Sequence, residues 1–405
     1  MTIANHLEHF AGFPVKDYDP SIGIIPVGRI PRREYQFVEG SSKKFWAIEL
    51  DGAKHIIQFG RIGSAGQTQT KEFKDPEQAQ KAYEKLVKEK VGKGYQLVTD
   101  SEAASAKPSR KKSSSGGPLP VIYRISLVHD EDWEQKKSLV DKLAVFLEDP
   151  SAQAAQGLVI GHWGGVDSAD QSSGPIVEAL VTARDKLPNL KHLFLGDITY
   201  EENEISWIQQ SDLSPLLSAY PNLEELRVRG SENLSLGTLQ HKNLKTLAIE
   251  TGGLPVRVLR EVCAAKLPAL EHLELWLGED GYGWDGTVAD LEPLLSGKLF
   301  PKLRYLGLRD SMIADEVAAA VAKAPVLKKI RVLDLSLGNL SDEGAKALLA
   351  SPDVAKLEKL DIGHHYVSNK VVAQLKALGI EVDASEQRKP EDDDDPDSRY
   401  IAVSE

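Results

Sequence analysis

The sequence predicts an α/β protein in which a small α+β domain near the N-terminus precedes a long solenoid of strand–helix units. The first observation is a repeat of 27 residues, visible between Leu303, Ile330 and Leu357. A strand pattern and then an octet typical of a helix follow each of these positions. Such a period indicates stacked units, each covering the apolar face of the next. The second observation is the alternation of apolar and polar residues from about Arg32, which is typical of half-buried strands.

Composition places the chain among ordinary soluble proteins. Of 405 residues, 41% are hydrophobic and 27% are charged, and no run approaches the roughly 18 apolar residues that span a bilayer. The first residues lack the basic-then-apolar pattern of a signal peptide. We therefore expect a cytoplasmic protein without a membrane contact.

A single cysteine, Cys263, excludes an internal disulfide and a thiolate metal cluster. It lies at helical spacing from Val258, Leu259 and Val262, which favours a buried core thiol over a nucleophile.

Charge is distributed unevenly. Residues 31–118 contain 17 Lys and Arg against 11 Asp and Glu, a balance of +6, whereas the remainder carries 32 against 50, a balance of −18. This split indicates that one segment meets a polyanion while the rest avoids one. The alternative is a modestly basic face that is only solvated.

The chain begins with residues 1–30, which Pro and Gly interrupt. We expect an extended arm that packs on the solenoid. Residues 31–98 follow with strand patterns, and Asp51-Gly52 is a hairpin turn signal between two of them. Asp75-Pro76 opens a helix, since Asp caps free N–H groups and Pro fits the first helical position. The apolar stripe of this helix comprises Ala79, Ala82, Tyr83, Leu86 and Val87.

Three motifs in this segment occur in a characteristic order: FWAIELDG, FGRIGSAGQTQTKEF and KLVKEKVGKGYQLV. Together they resemble a WGR domain, a small sheet-plus-helix module named for a Trp-Gly-Arg tripeptide. The module occurs in DNA-dependent poly(ADP-ribose) polymerases and in bacterial proteins, some of them described as molybdate-metabolism regulators. The resemblance implies contact with DNA near a strand end, and some WGR modules serve protein contacts instead.

Transferred to this sequence, the resemblance implicates the tripeptide Phe59, Gly60 and Arg61. The aromatic residue would stack and Arg61 would meet a phosphate. Phe59 stands where the family has Trp, so the stacking area is smaller and the indole N–H is missing. Loop N–H groups near Gly66 and Gln67 would assist. The predicted interface also includes the basic residues Lys43, Lys44 and Lys71.

The rest of the chain divides by composition. Residues 99–120 are rich in Ser, Ala, Gly and Pro, which is typical of a flexible linker. Residues 121–385 form the predicted solenoid, opening with a strand at 121–128 and a helix at 133–147. Residues 386–405 form an acidic C-terminal tail.

The ladder of apolar positions reads LxxLxL, for example at Leu303, Leu306 and Leu308. These units resemble leucine-rich repeats, whose parallel strands line a concave face and whose helices lie on the convex side. The opening HLEHFAGFPV, the stretch from the helix to GLVIGHWGG and the ending RYIAVSE also resemble a bacterial leucine-rich-repeat family of undefined function. The Asn that usually caps each turn is replaced by Ser311, Gly338 and His365, and Asn339 lies one residue late.

Residues between the ladder positions point away from the core, onto the predicted concave face. Aromatic and charged side chains there are typical of a surface that recognises a protein or peptide. These predicted protein-binding residues are Phe194, Arg227, Arg229, Glu274, Trp276, Arg309, Asp334 and Asp361. The alternative is that the N-terminal arm or a loop covers them within the chain.

No enzyme motif is found: the sequence lacks a P-loop, zinc-ligand spacing and GxSxG, and His364-His365 point in opposite directions on a strand. We therefore expect no catalytic residue, no metal and no cofactor. The sequence favours a non-enzymatic adaptor whose WGR module contacts DNA ends or breaks and whose repeats bind a protein partner. The alternative is a protein–protein scaffold without nucleic-acid binding.

Overall fold

The computed structural model divides the chain into two compact units, Leu7–Pro120 and a second unit that includes Val121–Glu405. The structure describes residues 9–10, 13–19, 23–26, 29–39, 42–51, 53–62, 67–74, 78–79, 82–83, 85–87, 90, 93, 95–97, 121–127, 138–164, 171–390 and 398–404. The predicted linker at 99–120 therefore lies outside the described residues.

The first unit is built from antiparallel strands. Its strands are β1 (His9–Phe10), β2 (Phe13–Asp19), β3 (Gly23–Pro26), β4 (Arg29–Glu39), β5 (Ser42–Asp51), β6 (Lys54–Arg61), β7 (Gln67–Glu72) and β8 (Gln96–Leu97). Strand β2 pairs with both β1 and β3. The other five form one sheet in the order β7-β6-β5-β4-β8. The predicted hairpin is confirmed, because β5 and β6 pair through Asp51 and Lys54.

A helix covers one face of this sheet. Residues 78–79, 82–83 and 85–87 are helical. Of the predicted stripe, Ala79 and Tyr83 are buried against strand residues such as Trp46, and Leu86 and Val87 pack at the margin. The stripe is therefore confirmed as the helix face that meets the sheet.

The second unit contains ten parallel strands with helices between them. The strands, in sheet order, are β9 (Ile122–Ile125), β10 (Gly157–Gly161), β11 (His192–Asp197), β12 (Glu225–Arg229), β13 (Thr246–Glu250), β14 (His272–Gly278), β15 (Tyr305–Ser311), β16 (Val332–Asp334), β17 (Lys359–Asp361) and β18 (Glu381–Asp383). The 27-residue period sets the register, because Leu306, Leu333 and Leu360 are direct neighbours across the sheet. All three are fully buried.

The helices are α1 (Leu139–Glu148), α2 (Ser151–Ala154), α3 (Gly174–Thr182), α4 (Ser214–Ala219), α5 (Val256–Ala264), α6 (Glu292–Leu295), α7 (Ala314–Val321), α8 (Asp342–Leu349) and α9 (Asn369–Lys376). Helix α1, predicted over 133–147, begins at Leu139, because Ser138 and Asp141 form a capping box. Each accepts a hydrogen bond from the other's backbone N–H, at 3.1 and 3.0 Å. The predicted residues 133–137 lie outside the described residues.

Aspartates on two of the helices accept hydrogen bonds from the start of the following helix. Asp315 of α7 accepts hydrogen bonds from the N–H groups of Ser341 and Gly344 in the next repeat, at 2.8 and 3.0 Å. Asp342 of α8 bonds Ser368 in the same way, through its N–H at 2.7 Å and its hydroxyl at 3.0 Å. Helix α7 therefore caps the start of α8, and α8 caps the start of α9.

Candidate nucleic-acid interface

One end of the antiparallel sheet gathers cations and aromatic rings. Lys44 lies directly opposite Arg61, and on its other side it lies opposite Phe37. The ring of Tyr95 lies 5.4 Å from that of Phe37, centroid to centroid. Lys44 and Arg61 are exposed, and both aromatic residues are half-buried. We call these four residues the sheet-end row.

The row follows from strand geometry. Side chains alternate between the two faces of a strand, and directly opposed residues share a face. Trp46 and Phe59 form the adjacent opposed pair, two residues closer to the middle of the sheet. They belong to the core under the helix, so the row is the point where that core meets water.

Phe59 is only partly accessible for its predicted role in stacking. It is half-buried and packs at the margin of the core that contains Trp46. Its aromatic area is therefore shared between the fold and solvent, because opposite Trp46 it completes the cross-strand contact. Gly60 lies between Phe59 and Arg61 and opposes the buried Phe45.

The structure does not bring all the predicted cations together. Lys71 opposes His55, six residues along β6 from Arg61, and a strand rise of about 3.3 Å per residue separates them by about 20 Å. The Lys71 ammonium instead lies 4.8 Å from the centre of the Phe73 ring. Lys43 is exposed at the same end as Lys44, but its side chain points to the other face. Lys71 therefore does not lie beside Arg61.

The structure describes only one of the two predicted loop residues. Gln67 is exposed and opposes Phe59 on the edge strand β7, so it lies beside the sheet-end row. Gly66 lies outside the described residues.

Lys90 was missed by the sequence reasoning. Its ammonium lies 5.4 Å from the Trp46 ring and 5.2 Å from the Tyr95 ring, which adds a third cation to the same end of the sheet. The signal was the run of lysines in KLVKEKVGKGYQLV. Only the fold shows which of them faces the row, because the helix and β8 set that direction.

The polar face of the parallel sheet, opposite the leucine ladder, holds the predicted protein-binding residues. The register aligns Arg227, Glu274 and Asp334 across β12–β16. Arg309 donates to Glu274 at 2.6 Å and lies 3.4 Å from Asp334, and Arg227 bonds Glu250 and lies 3.7 Å from Glu274. The residues are thus brought together as predicted, but they bond to each other.

The rings on this face are buried rather than exposed. Phe194 is 0% and Trp276 is 5% exposed. The guanidinium of Arg229 lies 5.4 Å from the Phe194 ring, and that of Arg309 lies 5.3 Å from the Trp276 ring. The expectation that Phe194 and Trp276 are exposed is wrong, and arginines of the same face lie over their rings. Asp361 is half-buried and pairs with Lys359 at 3.0 Å.

Electrostatics keep Glu274 ionised within this network. Burial by itself would raise the pKa of Glu274, but the hydrogen bond from His272 and the charges of Arg309 and Arg227 outweigh it. The pKa of Glu274 therefore lies well below its usual range. Burial by itself would lower the pKa of Arg227 and Arg309. The charge of Glu274 raises both pKa values, together with Glu250 at Arg227 and Asp334 at Arg309. The network is a self-neutralised ionic surface.

Cys263 is half-buried, and burial together with Asp290 raises the pKa of its thiol to about 11. A thiol with that pKa stays protonated at neutral pH and is a poor nucleophile. His364 and His365 are buried, and each has a ring nitrogen within 3.3 Å of a backbone carbonyl oxygen.

Comparisons with known proteins agree with the geometry at the N-terminal end. Residues 33–102 match the WGR domain family. Two proteins of Escherichia coli K12 are similar over part of the chain: an uncharacterized protein, YfeS, at 38% identity over 65 residues, and the protein YehF at 39% over 83 residues. These matches cover 16% and 20% of this chain and 27% and 30% of the two relatives, so the chain spans less than a third of either relative.

A likeness to one solved structure extends much further. The crystal structure of a Bacteroides fragilis protein, a structural genomics target, is 34% identical and superposes with a TM-score of 0.63. The match covers 88% of this chain and 97% of that one. The chain belongs to the family of that protein. A likeness of this extent includes the parallel sheet, so the family shares more than the WGR domain. Among the described residues no helix is both long and apolar enough to cross a membrane.

Proposed function

We propose that this protein is a non-enzymatic adaptor whose WGR domain binds DNA at ends or breaks and whose leucine-rich repeats bind a protein partner. The observation that carries the proposal is the WGR match at residues 33–102, combined with the exposed pair Lys44 and Arg61 beside Phe37 and Tyr95. Cations next to aromatic rings supply the two interactions that nucleic-acid ends offer, phosphate contact and base stacking.

Each residue of the row has a role in this proposal. Arg61 donates to phosphate oxygens in a fork geometry, and Lys44 adds a second cation beside it. Phe37 and Tyr95 present ring surface to a terminal base or sugar, where a strand end leaves a base face uncovered. Neither interaction reads base identity, so the binding would be selective for DNA structure rather than sequence.

The non-enzymatic role is supported by the polar face. Glu274 and Asp334 are both paired with Arg309, at 2.6 and 3.4 Å. The hydrogen bond from His272 and the charges of Arg309 and Arg227 hold the pKa of Glu274 well below its usual range, which makes it a poor general acid. The leucine-rich-repeat assignment is supported by the 27-residue ladder and the parallel register.

The test compares one arginine variant with one lysine variant, both in the full-length chain. We expect Arg61→Ala to weaken binding to nicked or blunt-ended DNA about tenfold, since a charged contact contributes about 1.5 kcal/mol. Lys71→Ala is the matched control, because it removes a cation from the far end of the same sheet and should change the affinity less than twofold. Fluorescence anisotropy at low salt measures both.

Two results would contradict the proposal. One is an absence of DNA binding by the unmodified chain at low salt, which would favour the protein–protein scaffold. The other is an equal loss of affinity for Arg61→Ala and Lys71→Ala, which would indicate charge attraction without a defined site.

A further inference from the structure

The C-terminal residues Ser398–Ser404 lie along the carboxyl ends of the parallel strands. The N–H of Tyr400 donates to the hydroxyl of Tyr366, and that hydroxyl donates back to the Tyr400 carbonyl, both at 3.0 Å. The segment then meets two earlier repeats. The N–H of Ala402 donates to the carbonyl of Leu337 at 2.8 Å, and the N–H of Val403 donates to Asp310 at 3.1 Å.

The last residue of the segment, Ser404, contacts residues still earlier in the chain. The hydroxyl of Ser206 donates to the carbonyl of Ser404 at 2.6 Å. A Cβ added at Gly252 would lie well inside van der Waals contact of that same carbonyl. The segment therefore runs as an extended strap across successive repeats, and a glycine leaves the room it needs.

The receiving surface is a regular feature of the repeats. Asp310, Leu337 and His364 occupy equivalent positions, 27 residues apart, and have φ values of 49°, 69° and 59°. This left-handed conformation is uncommon outside glycine. At two of the three positions the residue supplies an acceptor to the strap. We call this row, together with Tyr366 and Ser206, the carboxyl-edge groove.

Recognition in the groove is mostly through main-chain atoms. Tyr400, Ala402, Val403 and Ser404 all bond through their backbone. Ile401 supplies an aliphatic anchor that is 7% exposed, and Arg399 lies 3.4 Å from Asp315. Main-chain capture with side-chain pockets is a general way to bind an extended peptide.

The strap does not satisfy the groove completely. Asp310 is fully buried, and its Oδ2 has no hydrogen-bond partner among the described residues. Buried polar atoms without a partner weaken a complex. A competing peptide that supplies a hydrogen-bond partner for this oxygen would therefore bind better than the chain's own segment.

We infer that the carboxyl-edge groove is a binding site for an extended peptide, and that Ser398–Ser404 occupies it as an internal ligand which a partner peptide displaces. The partner segment has a basic residue two positions before an aliphatic anchor, followed by small or β-branched residues. This inference rests on the proposed protein-binding role and moves it from the polar face to the strand ends. It is independent of DNA binding, which the anisotropy experiment tests separately.

The test removes the C-terminal segment from the chain and adds it back as a separate peptide. A chain ending at Pro390 should bind a fluorescein-labelled SRYIAVSE peptide at least tenfold more tightly than the full-length chain does, and should not bind a scrambled peptide of the same composition. An N-methyl group on the residue equivalent to Ala402 removes its hydrogen bond to Leu337 and should weaken binding about tenfold. Equal binding of the native and scrambled peptides overturns the inference.

A second pair of variants tests the contact between Gly252 and the C-terminal segment. Gly252→Ala should lower the melting temperature of the full-length chain more than that of the chain ending at Pro390. The added Cβ clashes with the Ser206 hydroxyl in both chains, and with the Ser404 carbonyl oxygen only in the full-length chain. Gly281→Ala is the control, since the nearest atom to its added Cβ is 3.9 Å away. If the shortened chain does not fold, full-length Ile401→Asp provides the emptied groove. Absence of peptide binding to that variant also overturns the inference.

Discussion

Asp310 shows how one buried carboxyl group links stability to pH. Burial raises its pKa well above the usual range, against the smaller opposing effects of the Val403 N–H and the Arg309 charge. The protonated form is therefore favoured by folding. Stability from this residue is present below its unfolded pKa of about 3.9, and it is lost as the pH rises through the raised folded-state pKa.

We expect Asp310→Asn to raise the melting temperature at pH 7 by about 3 °C, because the amide cannot ionise and still accepts the Val403 hydrogen bond. Asparagine also tolerates a positive φ. Near pH 4 the variant and the unmodified chain should melt alike. Thermal unfolding followed by circular dichroism between pH 4 and 8 measures this, and a pH-independent loss of stability would contradict it.

At the scale of the element, helix capping between neighbouring repeats keeps the strand–helix units in phase. Asp315 bonds two N–H groups of the following repeat and the hydroxyl of Ser341 at 2.5 Å. Those N–H groups belong to a helix start, which leaves donors unsatisfied unless a side chain accepts. One carboxylate thus fixes the register between α7 and α8.

Asp315→Ala should destabilise the parallel-sheet unit by about 2 kcal/mol, the upper range for loss of a helix cap. Glu316→Ala is the control. Glu316 lies in the same first turn and carries the same charge but is exposed, so its loss should cost no more than about 0.5 kcal/mol. Chemical denaturation of both variants separates the cap from the helix dipole, and equal losses would show that the dipole dominates.

For the whole molecule, the division of charge limits where a polyanion binds. Residues 31–118 carry a balance of +6 and the remainder −18. On the parallel sheet, the arginines of the polar face are neutralised by Glu250, Glu274 and Asp334. Cations are exposed beside aromatic rings at the sheet-end row, which is where we expect binding to depend on salt.

DNA affinity should fall with salt along a log–log slope of about −3, the value for three to four phosphate contacts. Lys44→Ala should reduce the magnitude of that slope by about one, whereas Lys71→Ala should leave it unchanged. Anisotropy titrations from 50 to 200 mM salt measure both slopes. A slope near zero would exclude phosphate contact as the source of affinity.

Several parts of the structure follow from sequence patterns alone. The ladder of Leu306, Leu333 and Leu360 predicts the parallel stacking, and the Asp51-Gly52 turn predicts the pairing of β5 with β6. The lysines were harder to assign. Lys44 and Lys71 look alike in the sequence, yet the register places one beside Arg61 and the other about 20 Å away. Trp276 was predicted to be exposed, because the arginine that lies over its ring, Arg309, belongs to the next repeat.

The sequence by itself determined the repeat, the strand faces and the WGR motifs, because each depends on spacing within one segment. The tertiary structure decided which cations share a surface and where the C-terminal segment lies. Val403 meets Asp310 across 93 residues, and Ser404 meets Ser206 across 198. Contacts over such separations depend on how the repeats stack and on the shape of the groove they leave, and no local periodicity encodes that shape.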